Sequence, residues 1–303
     1  MESAYVIRLA RPTLADAAAL LDVEHESLGD SPYSPERVQA LLARPEHRAY
    51  LAVLPAAEGG EEVVGFCSTF ETPTADGPRL EIDMLGVLPE HRGRGLATRL
   101  IRTSLREARC RGAGACRGVV AEENAASQRA FGGAGLAPDP QPYELLVYPI
   151  GGTSPLELPG GLRYARLEAG AVSAPEGAQA PFDATPERPV HLVTTLAGRT
   201  VALAASLHVH TLSYEGLWIE RLWAADDLAL RAAIRAVVEE AKRLDLDEVG
   251  HLAATDPARG EAPALDAWLR EGYLSMGRYR VYTLRLAPEG GHGAAAPSSR
   301  DQT

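Results

Sequence analysis

A strand, a turn and a long amphipathic helix occur twice in this chain, and that repetition constrains the fold more than any other feature. Leu80-Glu81-Ile82-Asp83-Met84-Leu85 alternates apolar and polar side chains and leads through a turn into a helix over Leu96–Arg109. Leu217-Trp218-Ile219-Glu220-Arg221-Leu222 repeats the pattern 137 positions on, ahead of a helix over Ala229–Arg243. A short β-like run follows each helix, Arg117–Ala121 and Glu248–Ala253. Next comes a second helix closed by Gly135-Leu136 or Gly272-Tyr273, and then an alternating strand, Tyr143–Tyr148 or Tyr279–Leu286. The order matches throughout although few residues are identical, which is the mark of a tandem duplication.

A chain of 303 residues is long enough for two domains of ordinary size. The expected division is residues 1–150 and 162–287, with a linker at 151–161 opening on Gly151-Gly152-Thr153-Ser154-Pro155. A tail at 288–303, rich in Gly, Ala, Ser and Pro, is expected to be disordered. In the first copy a strand over Tyr5–Leu9 precedes a helix over Leu14–Glu26 capped by Thr13, and Ser34-Pro35-Glu36 starts a second helix. Strands Ala49–Leu54 and Glu62–Glu71 complete the order β-α-α-β-β-β-α-β-α-β, a mixed α/β fold. The second copy spans the connection between Leu162–Leu167 and Val190–Leu196 with roughly half the residues, so its helical cap is reduced.

A net charge of −11 argues against a nucleic-acid partner, which needs a basic face. It suits a cationic acceptor such as an amine, or simply keeps the chain soluble. Cys67, Cys110 and Cys116 form no closely spaced pair, so neither a zinc knuckle nor a disulfide framework is expected, which fits the cytoplasm. There is no signal-like N-terminus and no apolar run approaching a membrane span of ~18 residues. A homodimer is left open. His208 and His210 flank Val209 on an expected strand and read as polar edge surface; no metal is expected.

The chemistry centres on Val87-Leu88-Pro89-Glu90-His91-Arg92-Gly93-Arg94-Gly95-Leu96-Ala97. A strand ends, a proline turn follows, and two glycines lead straight into a helix. Unpaired amides at a helix N-terminus, backed by its dipole, form an anion site. Gly93 and Gly95 let those N–H groups converge on a bulky phosphate group, and Arg92 and Arg94 add positive charge. A P-loop would need Gly-Lys-Ser/Thr here, and a dinucleotide fingerprint a third glycine near Thr98; both are absent.

Arg92-x-x-Gly95-x-Ala97, five residues after Val87, resembles the acyl-CoA signature of the GNAT N-acetyltransferases. Asn124-Ala125-Ala126-Ser127, ending in Ala134-Gly135-Leu136, is similar to the family's second motif. The resemblance implies a GNAT-like mixed sheet in two tandem copies and acetyl-CoA as co-substrate. It also implies direct attack by an amine of a small molecule or peptide on the thioester. Leu85, Gly86 and Val87 would meet the pantetheine and acetyl carbonyl; Arg92, Gly93, Arg94, Gly95, Leu96 and Ala97 would wrap the pyrophosphate; Asn124 and Ser127 would face the pantetheine arm. Glu81, at the spacing of a family glutamate, is expected as general base, with Asp83 on the same strand face so that the two raise each other's pKa. The family's tyrosine acid falls at Phe131, which cannot donate a proton, so the donor is Ser127, Tyr143 or a water, or none is needed. That departure keeps open a non-catalytic acyl-CoA-binding regulator. The second copy has Trp223-Ala224-Ala225-Asp226-Asp227-Leu228 where the phosphate loop should be, and two aspartates there would repel a diphosphate.

Overall fold

The computed structural model describes residues 5–29, 31–55, 60–74, 77–151, 157–173, 181–255 and 265–286. The tail at 288–303 and residues 152–156 of the expected linker lie outside these residues.

The first copy contains β1 (Val6–Leu9), α1 (Leu14–Ser27), α2 (Pro35–Leu42), β2 (His47–Pro55), β3 (Glu61–Thr72), β4 (Arg79–Val87), α3 (Leu96–Cys110), β5 (Ala115–Ala121), α4 (Ala125–Ala134) and β6 (Ala137–Pro149). This is the order the sequence predicts. Local chemistry sets the boundaries. Thr13 caps α1 by accepting from the Asp16 amide, Ser34 caps α2 by accepting from Arg37, and Pro35 occupies the first turn of α2. Gly135, left-handed at φ 98°, ends α4.

The second copy contains β7 (Leu162–Leu167), β8 (Gly170–Val172), β9 (Phe182–Ala184), β10 (Val190–Thr195), β11 (Thr200–His210), β12 (Glu215–Ala224), α5 (Asp227–Arg243), β13 (Glu248–Ala254), α6 (Leu265–Arg270) and β14 (Leu274–Arg285). The small β8–β9 sheet takes the place of the two cap helices, and Phe182 seals it against Leu203 and Val190.

The two copies share one twelve-stranded sheet, in the order β1-β2-β3-β4-β5-β14-β6-β13-β12-β11-β10-β7. Their last strands are exchanged. The strand β14, from the end of the second copy, lies between β5 and β6 of the first and is antiparallel to both. In return β6 runs antiparallel beside β13. The cores are interleaved accordingly: Tyr282, Leu286 and Leu212 are buried in the first core, and Leu146 in the second. The copies are thus contiguous in the chain but share strands in space. Among the described residues no helix is long and apolar enough to cross a membrane.

Candidate acyl-CoA cleft and the carboxylates beside it

The strands β4 and β5 pair in parallel from Arg79↔Ala115 to Ile82↔Gly118, and no further, although β4 runs on to Val87. Beyond that point the strands separate and open a cleft of about 630 Å³. Leu85, Gly86 and Val87 line one wall, Asn124 and Ser127 the other, and Arg92, Gly93, Gly95, Leu96 and Ala97 the floor at the start of α3. Gly93 and Gly95 both sit in the left-handed region, at φ 73° and 74°, which an L side chain adopts only under strain. Gly95 starts α3 with no side-chain cap and no acidic residue in the first turn, so the amides and the helix dipole face the cleft unopposed. The Arg92 Nε donates to the Val87 carbonyl at 2.9 Å and its Nη2 to the Ser27 carbonyl at 3.3 Å, bracing the loop against α1.

One expected contact is displaced. Arg94 does not line the cleft; its Nη1 donates to the Tyr5 hydroxyl at 2.6 Å and its Nη2 to the Glu90 carbonyl at 3.2 Å. Its charge still lies near the helix N-terminus, but the guanidinium serves the loop. Asn124 has a double use: its Oδ1 caps α4 by accepting from the Ser127 amide at 3.0 Å, which leaves its amide NH₂ for the cleft. His91 of the loop itself also lines the cleft, as do Ser27 and Leu28, to which the sequence assigned no cofactor contact. Ser27 and Leu28 close α1, about sixty positions upstream of the loop, and no local pattern connects them to it.

The two carboxylates expected to share a face and reinforce each other do neither. The β3–β4 ladder pairs Thr69 with Ile82 and Ser68 with Met84, which leaves Asp83 as the extra residue of a bulge. Glu81 is buried and accepts from Arg117 Nε at 2.8 Å, Arg79 Nε at 2.5 Å and the Thr72 hydroxyl at 3.0 Å. Burial alone would raise its pKa, but the guanidiniums of Arg117 and Arg79 outweigh burial and hold it below the usual carboxylate range. A carboxylate so held is a weak base. The expectation that Glu81 takes the substrate proton is therefore revised, because its lone pairs are committed to cations.

Asp83 has the opposite surroundings. Its Oδ2 accepts from the Ser68 hydroxyl at 3.2 Å and from the Leu212 amide at 3.1 Å, and Ser68 in turn contacts His47 Nε2 at 3.0 Å. Burial pushes its pKa up to about 6 despite those two donors. Burial, with the charge of Asp83, raises the nearby Glu24 to about 7. Leu212 belongs to the β11–β12 turn, so a backbone group of the second copy holds a carboxylate of the first.

Phe131 is buried, its ring lying over Gly118 and edge-on to Tyr282 of the exchanged strand at 5.5 Å. The Tyr143 hydroxyl donates to Asp139 Oδ2 at 3.2 Å and is thereby engaged away from the cleft. Of the side chains named as alternative donors, Ser127 lies on the cleft.

The fold and the loop define a class: a two-copy mixed α/β protein with a cleft at an uncapped helix N-terminus, where parallel strands part. Residues 16–135 match the model of the acetyltransferase (GNAT) family. The chain has the fold of a GCN5-related N-acetyltransferase from Sphaerobacter thermophilus, with TM-score 0.59 and 18% identity over 95% of this chain and 98% of that one. It is similar also to a tandem GNAT protein from the clavulanic acid biosynthesis pathway, with TM-score 0.52 and 14% identity over 94% of this chain and 99% of that one. A third likeness is to a GCN5-related glucosamine N-acetyltransferase region of a fungal multi-domain β-N-acetylglucosaminidase, with TM-score 0.57 and 14% identity; it covers 92% of this chain and 38% of that one. No curated protein matches in sequence. Residues 16–135 thus carry a GNAT domain, and the chain as a whole has the fold of two-copy GNAT proteins.

Proposed function

We propose that the protein is an N-acetyltransferase that moves the acetyl group of acetyl-CoA to an amine of a small molecule or peptide in the cytoplasm. The cleft carries this reading: it combines uncapped helix amides for a diphosphate with the edge of β4 over Leu85–Val87, unpaired on the β5 side, for a pantetheine arm. Asp83, a carboxylate of raised pKa, lies on the same strand two residues before that stretch. In the proposed reaction the amine nitrogen attacks the acetyl carbonyl carbon and the C–S bond breaks. Asp83 takes the proton from nitrogen, and CoA leaves as the thiolate, protonated by water or by Ser127. A base is most effective when its pKa lies near the working pH, and Asp83 meets that condition where Glu81 does not.

Phe131 in the usual place of an acid supports a second reading, an acyl-CoA-binding regulator without turnover. One experiment separates the two. The full chain is given acetyl-CoA and a panel of amines (a polyamine, an amino sugar, a dipeptide), and free CoA thiol is followed. Thiol release that depends on the amine and is lost in Asp83→Asn supports the transferase. Tight acetyl-CoA binding without release on any amine supports the regulator.

A further inference from the structure

His208 and His210 share one face of β11, and the cross-strand pairing His210↔Glu215 brings a carboxylate of β12 against both. The His208 Nε2 lies 3.0 Å and the His210 Nδ1 3.1 Å from the same oxygen, Glu215 Oε1. One ligand atom from each of the three residues lies within 4.8 Å of the other two. We propose that His208, His210 and Glu215 bind a divalent transition-metal ion of the zinc type, which clamps the β11–β12 hairpin.

A tetrahedral ion with bonds of about 2.0–2.1 Å sets neighbouring donors about 3.3 Å apart, so the two His–Glu separations are already near the required values. The two rings are 4.3 Å apart, centroid to centroid, and a small ring rotation brings the third donor in. Two neutral imidazoles and one carboxylate suit zinc and its late first-row neighbours rather than calcium or magnesium. Each ring nitrogen that now bonds Glu215 must present its lone pair to the ion, so the ring proton moves to the other nitrogen of the same ring.

Three charges bear on the affinity; one, Arg44, pairs with Glu46 at 2.6 Å and offsets part of what that carboxylate contributes. Arg37 Nη2 lies 3.8 Å from the other Glu215 oxygen and opposes the ion, but its side chain is 48% exposed and can turn to solvent. Glu46 of the first copy is near enough to His210 for their charges to interact, and it favours the ion. The site opens on a groove of about 450 Å³ between the two copies, so an ion can reach it. Position gives the clamp its consequence. His210 and Glu215 bracket the turn that presents the Leu212 amide to Asp83, so an ion there fixes the second copy's contact with the first.

The test uses the full chain, freed of metal with EDTA and desalted. Zn²⁺ is titrated calorimetrically, and Co²⁺ is followed by its visible absorption. The expected results are one ion per chain, tetrahedral Co²⁺ bands, and a higher Tm with Zn²⁺. His208→Gln and His210→Gln should each weaken binding by about 10–100-fold or more, as loss of a ligand or its support does elsewhere, while His25→Gln changes nothing. No saturable ion, or binding that survives both substitutions, overturns the proposal and leaves a hydrogen-bonded hairpin closure only. Should the variants fold poorly, the wild-type Co²⁺ spectrum decides by itself. The readout is independent of acetyl transfer, so its failure and that of the proposed function are distinguishable.

Discussion

Placed side by side, the two copies use the same positions for opposite ends. Asp83 and Glu220 are the extra residues of equivalent bulges, each at the strand preceding the long helix. Asp83 has two neutral donors and no cation, and stays basic. Glu220 is gripped by Arg79, by Arg188 at 2.9 Å and by Arg117 at 3.8 Å. Where the first copy covers Gly118 with Phe131, the second has Trp268 stacked on His251 at 4.6 Å, and the His251 Nδ1 contacts the Ile219 carbonyl at 2.9 Å. That side chain fills the point where β12 and β13 would part. At the helix itself, α3 begins on a bare glycine, while α5 is capped by Asp226, which accepts from the Ala229 amide at 2.8 Å, with Asp227 in its first turn. One copy leaves its helix N-terminus open on the cleft; the other satisfies it internally. Duplication preserved the scaffold, and a handful of side chains decided which cleft remains open.

The largest effect should come from separating the copies. Residues 1–150 alone lack β14, so the facing edges of β5 and β6 lose their partner and Phe131 loses Tyr282. That fragment should aggregate or fail to give a cooperative thermal transition, and co-expression with residues 157–303 should rescue it. A soluble, fully active fragment would break the comparison at its base.

Next in size is the phosphate loop. Gly95→Val should abolish acetyl-CoA binding in calorimetry with little loss of secondary structure, since a branched side chain resists φ 74° and would crowd the cleft. Wild type should bind about one acetyl-CoA per chain by the same contrast between helix starts. A stoichiometry near two would show that the aspartate-capped copy is not degenerate.

The bulge carboxylates come third. Asp83→Asn should lower kcat by about 10²–10⁴ while leaving acetyl-CoA affinity nearly unchanged. Glu81→Gln should instead act on stability, by about 1–3 kcal/mol in denaturant titration, because Arg79 and Arg117 lose one of the two carboxylates they share and keep only Glu220. A kinetic loss in Glu81→Gln at full stability would return the base to Glu81.

The smallest effects concern pH. In the proposed reaction Asp83 accepts a proton only when ionised, so kcat should climb with pH below about 6 and level off above it. Stability runs the other way. Between the ordinary aspartate value of 3.8 and about 6, the folded protein holds a proton that the unfolded chain has released, so this group weakens the fold as pH rises through that window. Asp83→Asn should therefore raise Tm at pH 7, and an unchanged Tm would place Asp83 in water.

By itself the sequence determined whatever short-range periodicity and turn chemistry can encode. The repeat, the element order of the first copy, the helix caps at Thr13 and Ser34, the glycine loop and its loss in the second copy are each written within a dozen or so residues. These features depend on backbone geometry and on the helix dipole, which a local stretch carries wherever it is placed. Tertiary structure decided the rest. Strand exchange is invisible locally, because β14 would pair as readily beside β13 as beside β5, and the choice depends on which core buries Tyr282 and Leu286. The different surroundings of the two carboxylates were decided the same way. Glu81 and Asp83 are two positions apart and chemically alike in the sequence. A one-residue bulge sends Glu81 toward Arg117, 36 positions away, and Asp83 toward the Leu212 amide, 129 positions away. Which carboxylate stays basic depends on burial and on charges brought in from distant segments, and no spacing along the chain records those.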